Sequence, residues 1–212
     1  MAAKELIQKL LDLQSAYAST YRSAATAERM KHVLSHFKDV DFLAEKNREP
    51  LIEHVGHLPI IASFLYPYIE HKKEINLGRV LIMLAIHDIG ETVTGDILTF
   101  KKEKAHNLKE SKVAKKILPK EYLPYYEEFE LRESFDAKFA KAIDALAPDL
   151  HELSIPKVSK ARFKALGFNS EIIEKKKTIY FVWDKTLAEI FKVIIKAHQN
   201  IELGKPTGFK TN

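Results

Sequence analysis

Apolar residues recur three and four positions apart along almost the whole chain, and this spacing restricts the fold more than any other feature. LIQKLLDLQSAY, FAKAIDAL and LAEIFKVIIKAH each gather their apolar side chains on one side of a helix. The period-2 alternation of a half-buried strand is missing outside a short TIYFVW, which suits the start of a helix equally well. Only seven Gly and eight Pro interrupt the 212 residues. An all-α fold is expected. A chain of this length supports one good core and falls short of what usually forces a split, so one helical domain over residues 1–212 is expected.

Helix starts are marked at Pro50 and Pro156, each at a first-turn position, and at Ser134 with Asp136 behind it. Gly78, Gly167 and Gly204 read as stops or turns. Pro59 and Pro67 interrupt LPIIASFLYPYI, which should be kinked or split there if it is helical. The Lys-rich segment from Lys101 to Lys120 has little apolar content before Val113 and reads as a solvated loop leading into a short helix. The tail GKPTGFKTN is expected to fray.

Composition removes several classes of chemistry. There is no Cys, which excludes a disulfide framework, a thiolate metal site and a cysteine nucleophile, and agrees with a reducing cytoplasm. The N-terminal MAAKELIQKLLDLQSAYAST carries charges throughout, unlike a secretory signal. No stretch reaches the ~18 uncharged apolar residues that span a bilayer. A soluble cytoplasmic protein without membrane contact is expected. The net charge of +5 would draw phosphorylated metabolites. The lysines are spread instead of forming one dense arm, so a nucleic-acid partner is not favoured.

LAIHDIGETVTGD, residues 84–96, sets His87, Asp88, Glu91 and Asp96 in an otherwise apolar stretch. Such groups are costly in a core unless something large repays their desolvation. His87 and Glu91 are four apart and Asp88 and Glu91 three apart, so a helix would project all three from one face. Thr94-Gly95 then breaks the helix, and Asp96 can fold back toward the same pocket.

Two further clusters accompany it. EPLIEHVGHLPI holds Glu53, His54 and His57, but its Glu-His-x-x-His order is not that of a zincin, which needs the Glu directly after the first of two His four apart. In FAKAIDALAP, Asp144 is the only acid. His54, His87, Asp88 and Asp144 together offer two imidazoles and two carboxylates from three helices. That mixed set suits one divalent transition-metal ion (Mn, Fe, Co, Ni or Zn) better than Ca or Mg. Four protein ligands on an ion that prefers six leave room for water and a substrate oxygen.

The order of these residues resembles the H…HD…D signature of the HD-domain metal-dependent phosphohydrolases. IEHVGHLPIIA resembles the family's first His segment. RVLIMLAIHDIGETVTGDI is similar to the HD helix of the 5′-deoxynucleotidase branch, with its H-D-x-x-E-x-x-x-x-D spacing, and ESFDAKFAKAIDAL resembles the helix that supplies the last Asp. The likeness runs from about Arg48 to Leu146. It implies an HD-type helical bundle with His54, His87, Asp88 and Asp144 as metal ligands. The extra His residues of two-metal HD phosphodiesterases are not at matching places, so a single ion is expected.

The implied reaction is metal-assisted hydrolysis of a phosphomonoester, with nucleoside or deoxynucleoside 5′-monophosphates as the expected substrates. Glu91 and Asp96 would divide the proton work, one orienting water and the other protonating the leaving oxygen; which does which is open. Arg48 is the candidate phosphate clamp, since its planar fork suits a phosphoryl group. A non-catalytic HD module binding a nucleotide or metal, and a phosphodiesterase acting on another ester or on nucleic acid, are the alternatives. The helices over 155–200 carry no chemical motif. Packing or a homodimer interface is their expected role, with Trp183 as a buried anchor.

Overall fold

The computed structural model describes residues 3–22, 49–97 and 102–209, and among them it is all-α, with one isolated bridge, Tyr21 to Pro50, and no strand. In chain order the α-helices are α1 (Ala3–Ser19), α2 (Leu51–Leu65), α3 (Leu77–Ile86), α4 (Glu91–Thr94), α5 (Lys104–Ile117), α6 (Leu123–Leu131), α7 (Phe135–Ser154), α8 (Pro156–Leu166), α9 (Ser170–Lys177) and α10 (Lys185–Glu202).

The long helix α7 is the axis. It starts where Ser134 accepts from the Ala137 N–H, a cap that satisfies one free donor of the first turn. Its buried residues include Phe139, Ala140, Ile143, Asp144, Leu146 and Ala147, which together wrap most of its circumference, as in a helix enclosed by neighbours. α2 and α3 pack on it and on each other, and α6, α8 and α10 complete the enclosure. The shared core joins Leu58 and Ala62 of α2, Val80, Met83 and Leu84 of α3, and Leu187 and Phe191 of α10. A smaller cluster of Tyr17, Leu51, Ile89, Ala114, Leu118 and Tyr126 seats α1 and α5.

The C-terminal helices are tied to α7 by a buried ionic knot. Pro148 lies inside α7 and has no N–H for the Asp144 carbonyl four residues back. Lys177, at the end of α9, donates to the next carbonyl, Ala145 O, and to Asp149 Oδ2, each at 2.9 Å. His198 Nε2 of α10 stands 3.4 Å from Asp149 Oδ1. Burial raises the Asp149 pKa, but Lys177 and His198 outweigh it and hold the carboxyl below its ordinary range.

Several sequence expectations need correction. The segment from Lys101 to Lys120 is not mainly loop, because α5 spans Lys104–Ile117. Lys, Ala, Glu and Leu are good helix formers even without an apolar stripe, and Glu103 and His106 close a capping box at the start. Gly78 is no stop; it lies in the first turn of α3, behind the Asn76 cap that accepts from the Arg79 N–H. Pro59 does not split α2, whose Leu58 and Ala62 are fully buried and hold the helix against the core; the break comes at Pro67, in the 3-10 turn Tyr66–Tyr68. Trp183 is only half-buried, lying near Phe135 and His71, and its Nε1 donates to Tyr180 O. Gly167 and Gly204 do end helices, at φ 70° and 69°. No helix among the described residues is long and apolar enough to cross a membrane.

Candidate metal centre

The buried stripe of α2, Leu51-His54-Leu58, turns His54 inward among apolar neighbours. α3 ends at Ile86, and the next four residues form turns before the short α4 begins at Glu91. His87, Asp88 and Glu91 therefore do not ride on one helix, as their spacing suggested. The backbone turns after Ile86, and the three side chains still face one pocket. Gly95, at φ 74°, reverses the chain so that Asp96 returns to that pocket, buried like the others. Asp144 arrives from the middle of α7.

Four atoms converge there. His87 Nε2 lies 3.1 Å from Asp88 Oδ2 and 3.3 Å from Asp144 Oδ1, and His54 Nε2 lies 3.3 Å from Asp144 Oδ1 and 3.6 Å from Asp88 Oδ2. All four ligand atoms stand within 4.8 Å of one another. Ligands bonded at right angles to one ion at about 2.1 Å stand about 3 Å apart, so little adjustment would seat an ion among them. His87 Nδ1 lies 3.0 Å from the Leu84 carbonyl, a contact that needs the N–H on Nδ1. That leaves Nε2, buried without a hydrogen bond among the described residues, as the nitrogen whose lone pair a ligand would take once its proton is lost. Behind His54, Glu49 Oε1 stands 3.7 Å from Nδ1. These residues fit a divalent ion, and His54, His87, Asp88 and Asp144 would hold it.

The charges around the pocket act on one another at close range. Burial raises the Asp88 pKa, but His87 and Arg22 hold that carboxyl well below the usual range. Lys141 Nζ, 2.7 Å from Asp144 Oδ2, and His87 do the same for Asp144 against its burial. Burial lowers the His87 pKa, yet Asp88 and Asp144 outweigh it and carry the imidazole up to about 10. Glu91 goes the other way: burial first, then Asp88 and Asp96, push it well above the ordinary carboxylate value.

A match to the HD domain family covers residues 27–180. The chain belongs to that family. The fold is also that of a solved structure described as a predicted metal-dependent phosphohydrolase from Magnetospirillum magnetotacticum MS-1. The two are 23% identical with a TM-score of 0.69, over 92% of this chain and 94% of the other. A conserved hypothetical protein from Pyrococcus furiosus is 24% identical with a TM-score of 0.57, over 89% and 98% of the two chains. No curated protein matches the sequence.

In this HD chain the six residues singled out as ligands or proton carriers meet in one pocket, whereas Arg48 lies outside the described residues. Glu53 and His57, the neighbours of His54, are exposed. Besides Lys141, three residues without a sequence signal of their own join the pocket: Arg22, Lys102 and Glu110. Arg22 Nη1 lies 3.2 Å from Asp88 Oδ2, 3.7 Å from Glu91 Oε2 and 3.8 Å from Asp96 Oδ1. Lys102 pairs with Glu91 and with Glu110 of α5. The residues around Arg22 show how it gets there: its N–H donates to Glu49 O at 2.8 Å, and the Leu51 N–H donates to Thr20 O at 2.7 Å, so the end of α1 is pinned to the start of α2.

Proposed function

We propose that this chain is a metal-dependent phosphohydrolase that removes the phosphate from nucleoside or deoxynucleoside 5′-monophosphates. The observation that carries it is the convergence of His54, His87, Asp88 and Asp144, with an arginine and two further buried carboxylates at their edge. Membership of the HD domain family supports the hydrolase chemistry, as does the likeness to a protein described as a predicted metal-dependent phosphohydrolase. The 5′-monophosphate preference rests on the likeness to the deoxynucleotidase branch and on the charge of the pocket.

When bound, a divalent ion supplies Lewis acidity, polarising a phosphoryl oxygen and acidifying nearby water. The chain's own residues do the rest. Arg22, whose side chain is 18% exposed, offers its guanidinium fork to the phosphoryl oxygens and orients them. Asp96 orients the attacking water and accepts its proton. Glu91 donates a proton at Oε2 to the leaving ester oxygen as the bond to phosphorus breaks. One water and one phosphomonoester give one alcohol and one inorganic phosphate. The surrounding carboxylates already pair with Arg22, Lys102 and Lys141. A triphosphate would bring further negative charge toward Glu91, Asp96 and Asp144, where the neighbouring cations among the described residues are already paired. The lysines from Lys101 to Lys116 are the one feature that could reverse this, by closing over a longer anion.

The test is phosphate release from AMP, dAMP, ADP and dATP by metal-analysed protein supplied with Co or Mn. Turnover of the monophosphates with little on dATP is expected. Preferred cleavage of dATP would assign the chain to another branch. Full metal content with no turnover on any ester would favour a non-catalytic nucleotide- or metal-binding module.

A further inference from the structure

Among the described residues, Glu91 is held by one oxygen. Its Oε1 accepts from Lys102 Nζ at 3.1 Å, whereas Oε2 is buried with no hydrogen bond and lies 3.7 Å from Arg22 Nη1. Lys102 is itself anchored, 2.5 Å from Glu110 Oε2. Glu110 belongs to α5, and the approach of α5 is set by Gly90. A Cβ at Gly90 would stand 2.6 Å from the Glu110 carbonyl oxygen, so only glycine lets that backbone settle on the turn between Asp88 and Glu91.

We propose that Lys102, braced by Glu110, is a positioning residue that fixes the Glu91 carboxylate so that its bare Oε2 faces the reaction. The catalytic consequence rests on the phosphohydrolase reading above; the orientation of Glu91 does not. An unanchored glutamate rotates about three side-chain bonds and presents either oxygen. A carboxylate tied at Oε1 presents one atom in one place, and misplacement of about 1 Å can cost as much as 10²-fold in rate. The lysine stem is as flexible as the glutamate, so an ammonium without its own partner would fix little. Glu110 supplies that partner from a separate helix whose contact with the turn leaves no room for a side chain. The chain of contacts Gly90–Glu110–Lys102–Glu91 thus transmits the position of α5 to one oxygen atom.

The test uses the full-length, metal-loaded protein with Lys102→Met, Lys102→Arg and Glu110→Gln. Hydrolysis of dAMP and of p-nitrophenyl phosphate is followed together with metal content, and crystal structures of the parent and variants are determined. In K102M, kcat should fall about tenfold or more, with KM within about threefold and the ion content unchanged. K102R should recover most of the loss, and E110Q should lie between. In the K102M crystal, Glu91 should have left its present orientation. A kcat like the parent's would overturn the proposal, as would a loss confined to KM, which would make Lys102 a phosphate contact. An unmoved Glu91 in the K102M crystal would overturn it without any turnover being needed. An inactive parent that retains its ion would count against the phosphohydrolase reading, and the crystals would still decide the role of Lys102. If K102M does not fold, E110Q carries the same kinetic and crystallographic comparison.

Discussion

Arg22 Nη1 donates to Asp88 Oδ2 across 3.2 Å, although 66 positions separate the two residues in the chain. The contact joins the end of α1 to the turn after α3 and places a partly open guanidinium beside the ligand set. Arg22→Ala should keep its metal and lose about 10²-fold in kcat/KM, the range for removal of one preorganised donor. Arg22→Lys should recover only part, because an ammonium lacks the fork that matches a phosphoryl group. Steady-state kinetics with metal analysis of each variant checks both.

Glu91 and Asp96 lie beside the ligands but outside their converging set. Glu91→Gln and Asp96→Asn should therefore retain the ion and lose turnover by roughly 10²-fold or more, the scale of general acid–base assistance. Near-parent rates in both would remove them from the proton work.

Metal uptake should release protons. Against its burial, Asp88 and Asp144 raise the His87 pKa to about 10, so near neutral pH the metal-free imidazole is protonated and must lose that proton to bind an ion. Affinity should rise with pH, and calorimetry in buffers of different ionisation enthalpy should detect the proton. The same shift bears on stability. A histidine raised above its ordinary 6.5 stabilises the metal-free fold fully below pH 6.5, and this contribution is lost as pH rises through about 10. The chelated protein should lose melting temperature over that window, while the loaded protein should not.

Lys177 and Asp149 pair at 2.9 Å in the interior. Lys177→Met leaves the Asp149 charge without its main partner, and breaking a buried pair costs about 3–5 kcal/mol. Denaturant titration measures it. The Asp149 pKa is lowered, so its contribution is present above the ordinary 3.8 and is lost as pH falls through the native value. K177M should accordingly close part of its stability gap to the parent in acid.

Much of this architecture could be read from local pattern. Three-to-four spacing marks α10 because burial selects one face of that helix, and a buried His-Asp doublet announces a ligand because its desolvation must be repaid. Asp96 was legible through the Gly95 break before it. The rest depends on distant pairing. Nothing adjacent to Arg22, Lys102 or Lys177 distinguishes them from solvated cations; the packing of α1, α5 and α9 gives them their partners. The full length of helix α5, beyond the short helix expected there, is not legible for a related reason: it buries little beyond Ala114, so propensity and capping specify it instead of an apolar stripe. The turns between His87 and Glu91 were hidden because the same spacing fits an unbroken helix.

The most direct measurement is elemental analysis of the purified protein beside the His87→Ala/Asp88→Ala double variant, each stripped with chelator and reloaded with Co or Mn. One ion per parent chain is expected, with none in the variant, and a melting temperature that rises on reloading only in the parent. Full occupancy in the double variant would contradict a metal centre built on His54, His87, Asp88 and Asp144.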